Sequence, residues 1–496
     1  MAINDGPYNM PTVVIVGAGA AGVFTAYEIN KQCPGQFNIQ LFEASQEIGG
    51  NVSSLTVQYG GLTYVIDAGA QFFYGKAQPN YLNLIQELGL SDQTPLYPAG
   101  VTIWENSTNR RLLWIPALVS GFAQYTVEDW IRLVEFGGFL VAATLLNCVG
   151  QPDWTLTVDD WLANVPLSDG FKQNVIKNFL YQFVSLPYAS IGDASAVYAT
   201  TYFVRNVFGG PATATLDLNI PTFQTNQSLI GLLGILEQAL EASGVSAQTS
   251  SPVTAVAPGE NGVAVTVSGN NTINAQYVVM ACDPGASATL LTNGGTADQN
   301  LIATLQGLGS QYLDLSVVMQ QNGSCWMPGD QSYWEAVSTL VNTRQQSVAF
   351  SAWFGPLRPP YGNNQQIPVF KSWGSPNLPS EGCSSEFFTH THNVLLPTTT
   401  FIQLRSQLDG YQNSNGLMFA GGWTNWFDSQ EAALISAMNV AQTLQGTGTA
   451  QPVSPVPASS DPSLIPGQVK SWIEMVMRVA PEPHKSKLVQ LVKSLG

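Results

Sequence analysis

The stretch Thr12-Val-Val-Ile-Val-Gly17-Ala-Gly19-Ala-Ala-Gly22 decides the fold of this chain. Its β-branched residues at positions 13 to 16 predict a buried strand, and the residues after the G-x-G-x-x-G turn predict a helix. In such a turn Gly17 permits the tight bend, Gly19 lets the backbone approach a pyrophosphate, and Gly22 lets the helix pack closely on the strand. The pyrophosphate then lies among N–H groups at the helix N-terminus. The pattern therefore predicts a dinucleotide site.

A second strand supports this prediction. The segment Phe37-Asn-Ile-Gln-Leu-Phe42 ends in Glu43, about twenty residues beyond the glycines, where the acid that binds the ribose belongs. The alternative is an ordinary strand–turn–helix without a ligand, because one such pattern can arise by chance among 46 glycines. We predict an α/β fold with a discontinuous Rossmann-type domain and an inserted α+β domain.

Three later motifs specify the dinucleotide. The first follows Glu43 and contains Gly49-Gly50, the second is Asp67-Ala-Gly69, and the third is Phe419-Ala-Gly421-Gly422-Trp423. With these motifs the chain resembles the flavin-containing amine oxidase superfamily, which also holds phytoene-desaturase-like enzymes and FAD-dependent polyunsaturated fatty acid isomerases. The resemblance implies that the second motif passes near a flavin and that the third leads into a helix whose N-terminus faces the flavin ring. It implies FAD as the cofactor. We expect the protein to bind FAD non-covalently, because no cysteine lies in the third motif that could form a bond to the flavin.

The resemblance and the turn chemistry together give a set of candidate site residues. The expected cofactor-binding residues are Gly17, Gly19, Ala20, Ala21, Gly22, Glu43, Ala44, Gly50, Asn51, Gly69, Ala70, Gln71, Val253, Gly422, Trp423, Glu431 and Ala432. The candidates for lining the flavin ring are Gln71, Phe72 and Trp423. If the substrate is a fatty acid, Arg205 is the favoured partner of its carboxylate, although a structural salt bridge explains Arg205 equally well.

The sequence departs from the superfamily at three places. Asn51 stands where many relatives have arginine, and Glu431 falls near the position of an aromatic residue of the amine cage. The strand comparable to the one that often carries a lysine near the flavin, residues 311–320, contains no lysine. Because of these departures, membership of the superfamily is much better supported than amine oxidation.

Composition argues against nucleic acid as a partner and against disulfide-rich or metal-binding folds. Only 10% of the 496 residues are charged, and the net charge is −16, so no basic surface is available for nucleic acid. The five cysteines are far apart and contain no C-x-x-C, which predicts neither a disulfide framework nor a zinc site. The pair His390-Thr-His392 is expected to be a solvated loop pair rather than part of a metal site.

The cofactor domain is expected to be built from residues 10–95, 226–305 and 405–446. Residues 96–225, largely helical and rich in aromatic side chains, and residues 306–404, rich in strands, are expected to form a substrate domain with an apolar cavity. Residues 447–468 resemble a linker. The net-basic tail, 469–496, is predicted either to dock on the protein or to touch a membrane surface.

The sequence also bears on location. No signal peptide is evident in this numbering, and the longest apolar run is shorter than a membrane span, so a soluble protein in an undetermined compartment is expected.

Three functions remain open from the sequence. The first is an FAD-dependent oxidoreductase that takes a hydride from a lipophilic small molecule. The second is a redox-neutral isomerase of polyunsaturated fatty acids, in which the flavin returns the hydride to another carbon. The third is a flavoprotein that binds a lipid without turnover.

Overall fold

The computed structural model describes residues 10–69, 78–94, 96–117, 119–148, 152–184, 186–206, 219–221, 228–269, 271–374, 386–425, 428–446 and most of 470–494. Its residues form two compact units. Unit 1 comprises residues 1–53, 229–312 and 400–456, and unit 2 comprises residues 54–228, 313–399 and 457–496.

The strands, numbered in chain order, are β1 Thr12–Val16, β2 Asn38–Phe42, β3 Ser54–Tyr59, β4 Leu62–Asp67, β5 Leu96–Pro98, β6 Val101–Glu105, β7 Arg110–Ile115, β8 Asn219–Pro221, β9 Ala247–Gln248, β10 Val253–Gly259, β11 Gly262–Val267, β12 Asn271–Ala275, β13 Tyr277–Met280, β14 Tyr312–Gln320, β15 Val337–Asn342, β16 Ser347–Trp353, β17 Phe370–Gly374, β18 Glu386–Leu395 and β19 Leu417–Phe419.

The helices are α1 Ala20–Gln32, α2 Pro79–Glu87, α3 Val127–Cys148, α4 Val158–Asn164, α5 Asp169–Phe171, α6 Lys177–Val184, α7 Ala196–Asn206, α8 Leu229–Glu241, α9 Pro284–Gly294, α10 Gln299–Gly309, α11 Thr399–Leu408, α12 Gln430–Gln445 and α13 His484–Ser494.

Unit 1 is built on a parallel five-stranded sheet in the order β19-β13-β1-β2-β9. Its central strand β1 pairs with β2 on one side and with β13 on the other. Val13, Val14 and Ile15 are fully buried, as expected for a strand covered on both faces. Helices α1, α8 and α12 pack together beside it. This arrangement confirms the predicted α/β fold with a Rossmann-type domain.

Unit 2 is built on a mixed seven-stranded sheet in the order β18-β14-β17-β16-β15-β6-β7. Strands β6 and β15 run parallel, whereas β14, β17, β16 and β15 are joined by antiparallel pairings. Every residue of β15 and nearly every residue of β16 is buried. Both faces of the sheet centre are therefore covered.

The hairpin β3–β4 lies in unit 2, although residues 54–95 were assigned to the cofactor domain from sequence. Tyr64 and Ile66 of β4 are fully buried in a cluster with Met319 of β14 and Phe354. These side chains pack in the core of unit 2 and not against the parallel sheet of unit 1. The first boundary between the two units therefore lies near residue 53.

Residues 96–225 were expected to be largely helical, and their first part is not. Strands β6 and β7 pair as an antiparallel hairpin, whose turn includes Asn109 in the left-handed region at φ 48°. The helices begin only with α3. The strand-rich character expected of residues 306–404 is confirmed by β14 to β18.

The C-terminal tail contacts helix α3 of the same unit. Leu488 is fully buried, and it lies near Gly137 of α3. These contacts favour docking over a free amphipathic helix, while contact of the tail with a membrane surface stays a prediction. No helix in the described part of the chain combines the length and apolar composition that crossing a bilayer requires.

Cys325 forms a disulfide bond. The expectation that the cysteines would not pair is therefore wrong for this residue, because spacing along the chain does not show which thiols the fold brings together. Cys33 and Cys282 are free thiols.

Candidate functional site

The turn after β1 has the geometry that its glycines predict. Gly17 has φ +101°, a conformation that L side chains rarely adopt. A Cβ on Gly22 would overlap the carbonyl oxygen of Gly17. Helix α1 therefore approaches the turn so closely that only glycine fits at position 22.

The N-terminus of α1 is suited to an anion. Its cap residue is Gly19, no side chain caps it, and its first turn contains no acidic residue. The first N–H groups of an α-helix lack helical partners, and the helix dipole adds positive potential there. Ala20 and Ala21 lie in this first turn, as expected for a pyrophosphate-binding segment.

The second glycine motif lies directly beside this turn. Gly19 and Gly49 form an isolated parallel bridge, and the Gly49 N–H donates to the carbonyl oxygen of Ala18 at 2.9 Å. A Cβ on Gly50 would be 3.2 Å from the Cα of Gly19. Ala44 and Asn51, which were also predicted to contact the cofactor, are exposed near this bridge.

Glu43 is held at the carboxyl end of β2 by two backbone hydrogen bonds. Its Oε2 accepts from the Ala18 N–H at 2.7 Å, and its Oε1 accepts from the Ser45 N–H at 2.8 Å. The Ser251 N–H donates to the carbonyl oxygen of Glu43, which brings the start of β10 and Val253 to the same end of the sheet. Glu43, the predicted ribose acid, and Val253, predicted to bind the cofactor, therefore lie in one region.

The third motif also ends at the carboxyl edge of the parallel sheet. Trp423 is 4% exposed, and its Nε1–H donates to the carbonyl oxygen of Cys282, just after β13, at 3.2 Å. Burial raises the pKa of the Cys282 thiol to about 12, so this thiol is not a thiolate nucleophile near neutral pH. Ligands of open parallel sheets bind at this edge.

Helix α12 does not follow the Gly421-Gly422 pair directly. It begins at Gln430, where the Ser429 hydroxyl accepts from the Ala432 N–H, and Glu431 is buried in its first turn. The capping side chain and the acidic residue reduce the capacity of this N-terminus to stabilise an anion. The sequence pattern did not reveal this cap.

Asp428 is a second feature that sequence reasoning missed. A Cβ on Gly422 would overlap its Oδ1, so the carboxylate occupies the space that a side chain at position 422 would take. Burial raises the pKa of Asp428 to about 6. The residue as a whole is exposed, but its carboxyl group is desolvated beside the motif glycine, and no local pattern predicted this titratable group.

In unit 2 the segment Asp67-Ala-Gly69 contacts a lysine that the sequence analysis did not select. The ammonium of Lys371 donates to the carbonyl oxygen of Gly69. Burial lowers the pKa of Lys371 to about 7, although the charge of Asp67 opposes this shift. Lys371 pairs with Met319 across β17 and β14, so a lysine stands one strand away from the strand that was searched for it. Strand β14 itself contains no lysine, as the sequence showed, and the bearing of Lys371 on amine oxidation stays a prediction.

His390 and His392 lie on strand β18 and not on a solvated loop, which corrects the sequence-based expectation. Burial, together with the charge of Lys371, lowers the pKa of His392 to about 3. Among the residues that the structure describes, no group of three histidine, cysteine or acidic side chains is arranged to hold a metal ion.

Several predicted site residues cannot be placed. Ala70, Gln71 and Phe72 lie outside the described residues, and Arg205 is in α7 with its side chain outside them. Their roles stay predictions.

Comparison with known proteins places this geometry in a family. Residues 20–369 match the family of flavin containing amine oxidoreductases. The chain belongs to this family. A comparison with curated protein sequences finds no match.

Solved structures of this flavin amine oxidoreductase fold cover most of the chain. Cyclohexylamine oxidase from Brevibacterium oxydans IH-35A is 16% identical with a TM-score of 0.57, over 88% of this chain and 99% of that one. A putrescine oxidase bound to putrescine is 13% identical with a TM-score of 0.56, over 89% and 100%. A fatty acid isomerase from P. acnes that produces CLA is 12% identical with a TM-score of 0.58, over 88% and 99%. At these identities the likeness shows the fold.

We expect Glu43→Gln to weaken FAD binding about 10- to 100-fold. An amide has one acceptor oxygen, whereas the carboxylate of Glu43 accepts from both Ala18 and Ser45, so the variant loses a bond that orients the side chain. It also loses the charge that would accept from the ribose hydroxyls, and a hydrogen bond to a charged group is worth about 1.5–3 kcal/mol. Titration of the apoprotein with FAD, followed by flavin fluorescence, measures the change. The exposed neighbour Glu47→Gln is the control, and equal affinities of the two variants would contradict the assignment.

Proposed function

We propose that unit 1 binds FAD without a covalent bond. The support is a turn that only glycines permit at Gly17 and Gly22, an uncapped helix N-terminus for the pyrophosphate, and Glu43 at the position of the ribose acid. The inert thiol of Cys282 agrees with non-covalent binding. The cofactor-binding roles carried over to Gly422, Trp423, Glu431 and Ala432 form part of this proposal, and the role carried over to Gly69 stays a prediction.

We further propose that the protein is an FAD-dependent oxidoreductase that takes a hydride from a lipophilic small molecule. The observation that carries this proposal is the group of aromatic side chains in unit 2. There Phe350 and Trp373 form a close aromatic pair, with ring centroids 4.0 Å apart and planes at 30°. The helical part of the same unit contributes Phe136, Phe139 and Phe179, which contact one another.

The side chains of this unit would act by holding the substrate and excluding water. Bound FAD would supply the hydride acceptor. The aromatic pair would pack against an apolar substrate. The buried segment at Gly69, held by its hydrogen bond from Lys371, would exclude water from the bound substrate. Such a reaction requires no nucleophile, which agrees with a site made of apolar side chains and backbone.

Anaerobic mixing of the FAD-loaded protein with linoleate, arachidonate or a long-chain amine tests the proposal. We expect bleaching of the flavin absorbance that air reverses, with protein-free FAD as the control. A conjugated diene or triene that forms while the flavin stays oxidised would instead assign the isomerase function. No bleaching and no product with any of these compounds would contradict both and leave a lipid-binding flavoprotein.

A further inference from the structure

Three basic side chains lie around one methionine on the sheet of unit 2. Strand β14 separates β18 from β17, and its Met319 pairs directly with Lys371. On β18, Phe388 packs against the cluster that contains Met319, and the ring of His390 is stacked beyond Phe388 at 6.5 Å and 14°. His392 is two residues further along the strand and therefore on the same face. Lys371, His390 and His392 thus share this face, and we call them the basic cluster.

The basic cluster offers more hydrogen-bond donors than the protein satisfies. Among the described residues, the ammonium of Lys371 donates only to the carbonyl oxygen of Gly69, although it has three N–H groups. The Nε2 of His390 and the Nε1 of Trp373 are buried without hydrogen-bond partners in the described part of the chain. An unpaired buried polar group is costly, so an acceptor is expected there.

The charge of Asp67 acts on Lys371, but Asp67 does not supply the missing acceptor. It accepts from the Ser54 hydroxyl at 2.7 Å, and its charge acts on both Lys371 and Tyr81. The pKa of Lys371 nevertheless remains about 7, far below that of an ammonium with a full ion-pair partner. Within the described part of the chain, the other charged or titratable groups that act on Lys371 and the histidines are the members of the basic cluster themselves.

An apolar surface begins directly beside the cluster. The Lys371 ammonium lies 5.4 Å from the centre of the Trp373 ring, which packs on Phe350. The next position across the sheet is Thr339, which pairs with Phe350 and whose hydroxyl accepts from Gln182 of α6 at 2.8 Å. A ligand that follows this face would meet donors at one end and aromatic rings beyond them.

We propose that Lys371, His390 and His392 bind the carboxylate of an amphipathic acid whose apolar chain lies on Phe350 and Trp373. Lys371 supplies the charge, and the histidines and the Trp373 indole supply N–H donors. This inference rests on the proposed function for the claim that the ligand is the substrate. It places the carboxylate partner on the sheet and not at Arg205.

Binding of head-group analogues to the FAD-loaded protein tests the site without turnover. Decanoate, 1-decanol and decylamine share one apolar chain, and their affinities are measured by calorimetry at pH 6 and pH 9. We expect decanoate to bind at least about tenfold more tightly than decanol at pH 6, and decylamine to bind most weakly. Since Lys371 loses its proton as the pH rises above about 7, decanoate affinity should fall at least about tenfold by pH 9, while decanol affinity stays constant.

Two variants locate the preference. Lys371→Met and His390→Leu should each reduce the preference for decanoate over decanol, and Lys493→Met, at an exposed position of α13, should retain it. Equal binding of decanoate and decanol by the wild-type protein, or a preference for decanoate that survives Lys371→Met, would overturn the proposal. A variant that changes the flavin midpoint potential but keeps the preference would also overturn it, because the cluster would then serve the flavin.

The outcomes separate the two proposals. Tight, pH-dependent decanoate binding without flavin reduction by linoleate, arachidonate or a long-chain amine supports the anion site and contradicts the proposed oxidoreductase. Flavin reduction by lipophilic compounds irrespective of head group supports the oxidoreductase and contradicts the anion site.

Discussion

Gly22→Ala is expected to yield protein that contains no flavin and is destabilised by about 3 kcal/mol or more. The added methyl would overlap the carbonyl oxygen of Gly17, which is backbone and cannot move away as a flexible side chain can. Relief would require α1 to shift from the sheet, and this would displace the N–H groups that face the pyrophosphate. The intrinsic helix preference of alanine, worth about 1 kcal/mol, does not offset this cost.

Flavin content and thermal unfolding measure both effects. The control is Gly234→Ala in α8, where an added Cβ meets no atom within 4 Å. It should keep its flavin and unfold at the same or a slightly higher temperature. A yellow Gly22→Ala protein of wild-type stability would show that the turn does not need this close approach.

Lys371→Met is expected to stabilise the protein at low pH, by up to about 5 kcal/mol. The pKa of Lys371 falls from 10.5 in the unfolded chain to about 7 in the folded protein, and each pKa unit corresponds to about 1.36 kcal/mol. Below pH 7 the lysine is protonated in both states, and the folded state bears the full cost of burying the charge. Between pH 7 and pH 10.5 the folded state binds fewer protons than the unfolded state, so the cost shrinks as the pH rises.

The stability gap between Lys371→Met and the wild-type protein should therefore be largest near pH 6 and small near pH 10. Chemical unfolding at these two pH values, with FAD at saturating concentration, measures it, and Lys493→Met provides the matched control. A variant that is less stable than the wild type at both pH values would mean that the Lys371–Gly69 hydrogen bond outweighs the burial of the charge.

These two residues also show what the sequence can predict and where prediction ends. The turn at Gly22 was predictable because strand, turn and helix are contiguous and each glycine meets a local steric demand. Glu43 followed for the same reason, since β2 is the next strand of the sheet. The parallel sheet, its strand β13 and the late strand β19 were likewise indicated by short apolar runs.

Lys371 and the histidines could not be assigned in this way. Residues 67–69, 371 and 390–392 meet only through the strand order of unit 2, and that order is not encoded in local periodicity. Strand 311–320 contains no lysine, and the pairing that brings Lys371 of β17 beside Met319 of β14 is visible only in the fold. The disulfide of Cys325 and the carboxylate of Asp428 at Gly422 were missed for the same reason: each depends on a contact made by the fold.

The position of β13 has a consequence for how the chain acquires its structure during synthesis. Strand β1 leaves the ribosome first, yet its partner β13 follows more than 250 residues later, and β19, which covers the other edge of β13, comes after a further 130 or so. Until then an apolar strand edge is open to other chains. Nascent molecules should therefore depend on chaperones until almost the whole polypeptide has emerged.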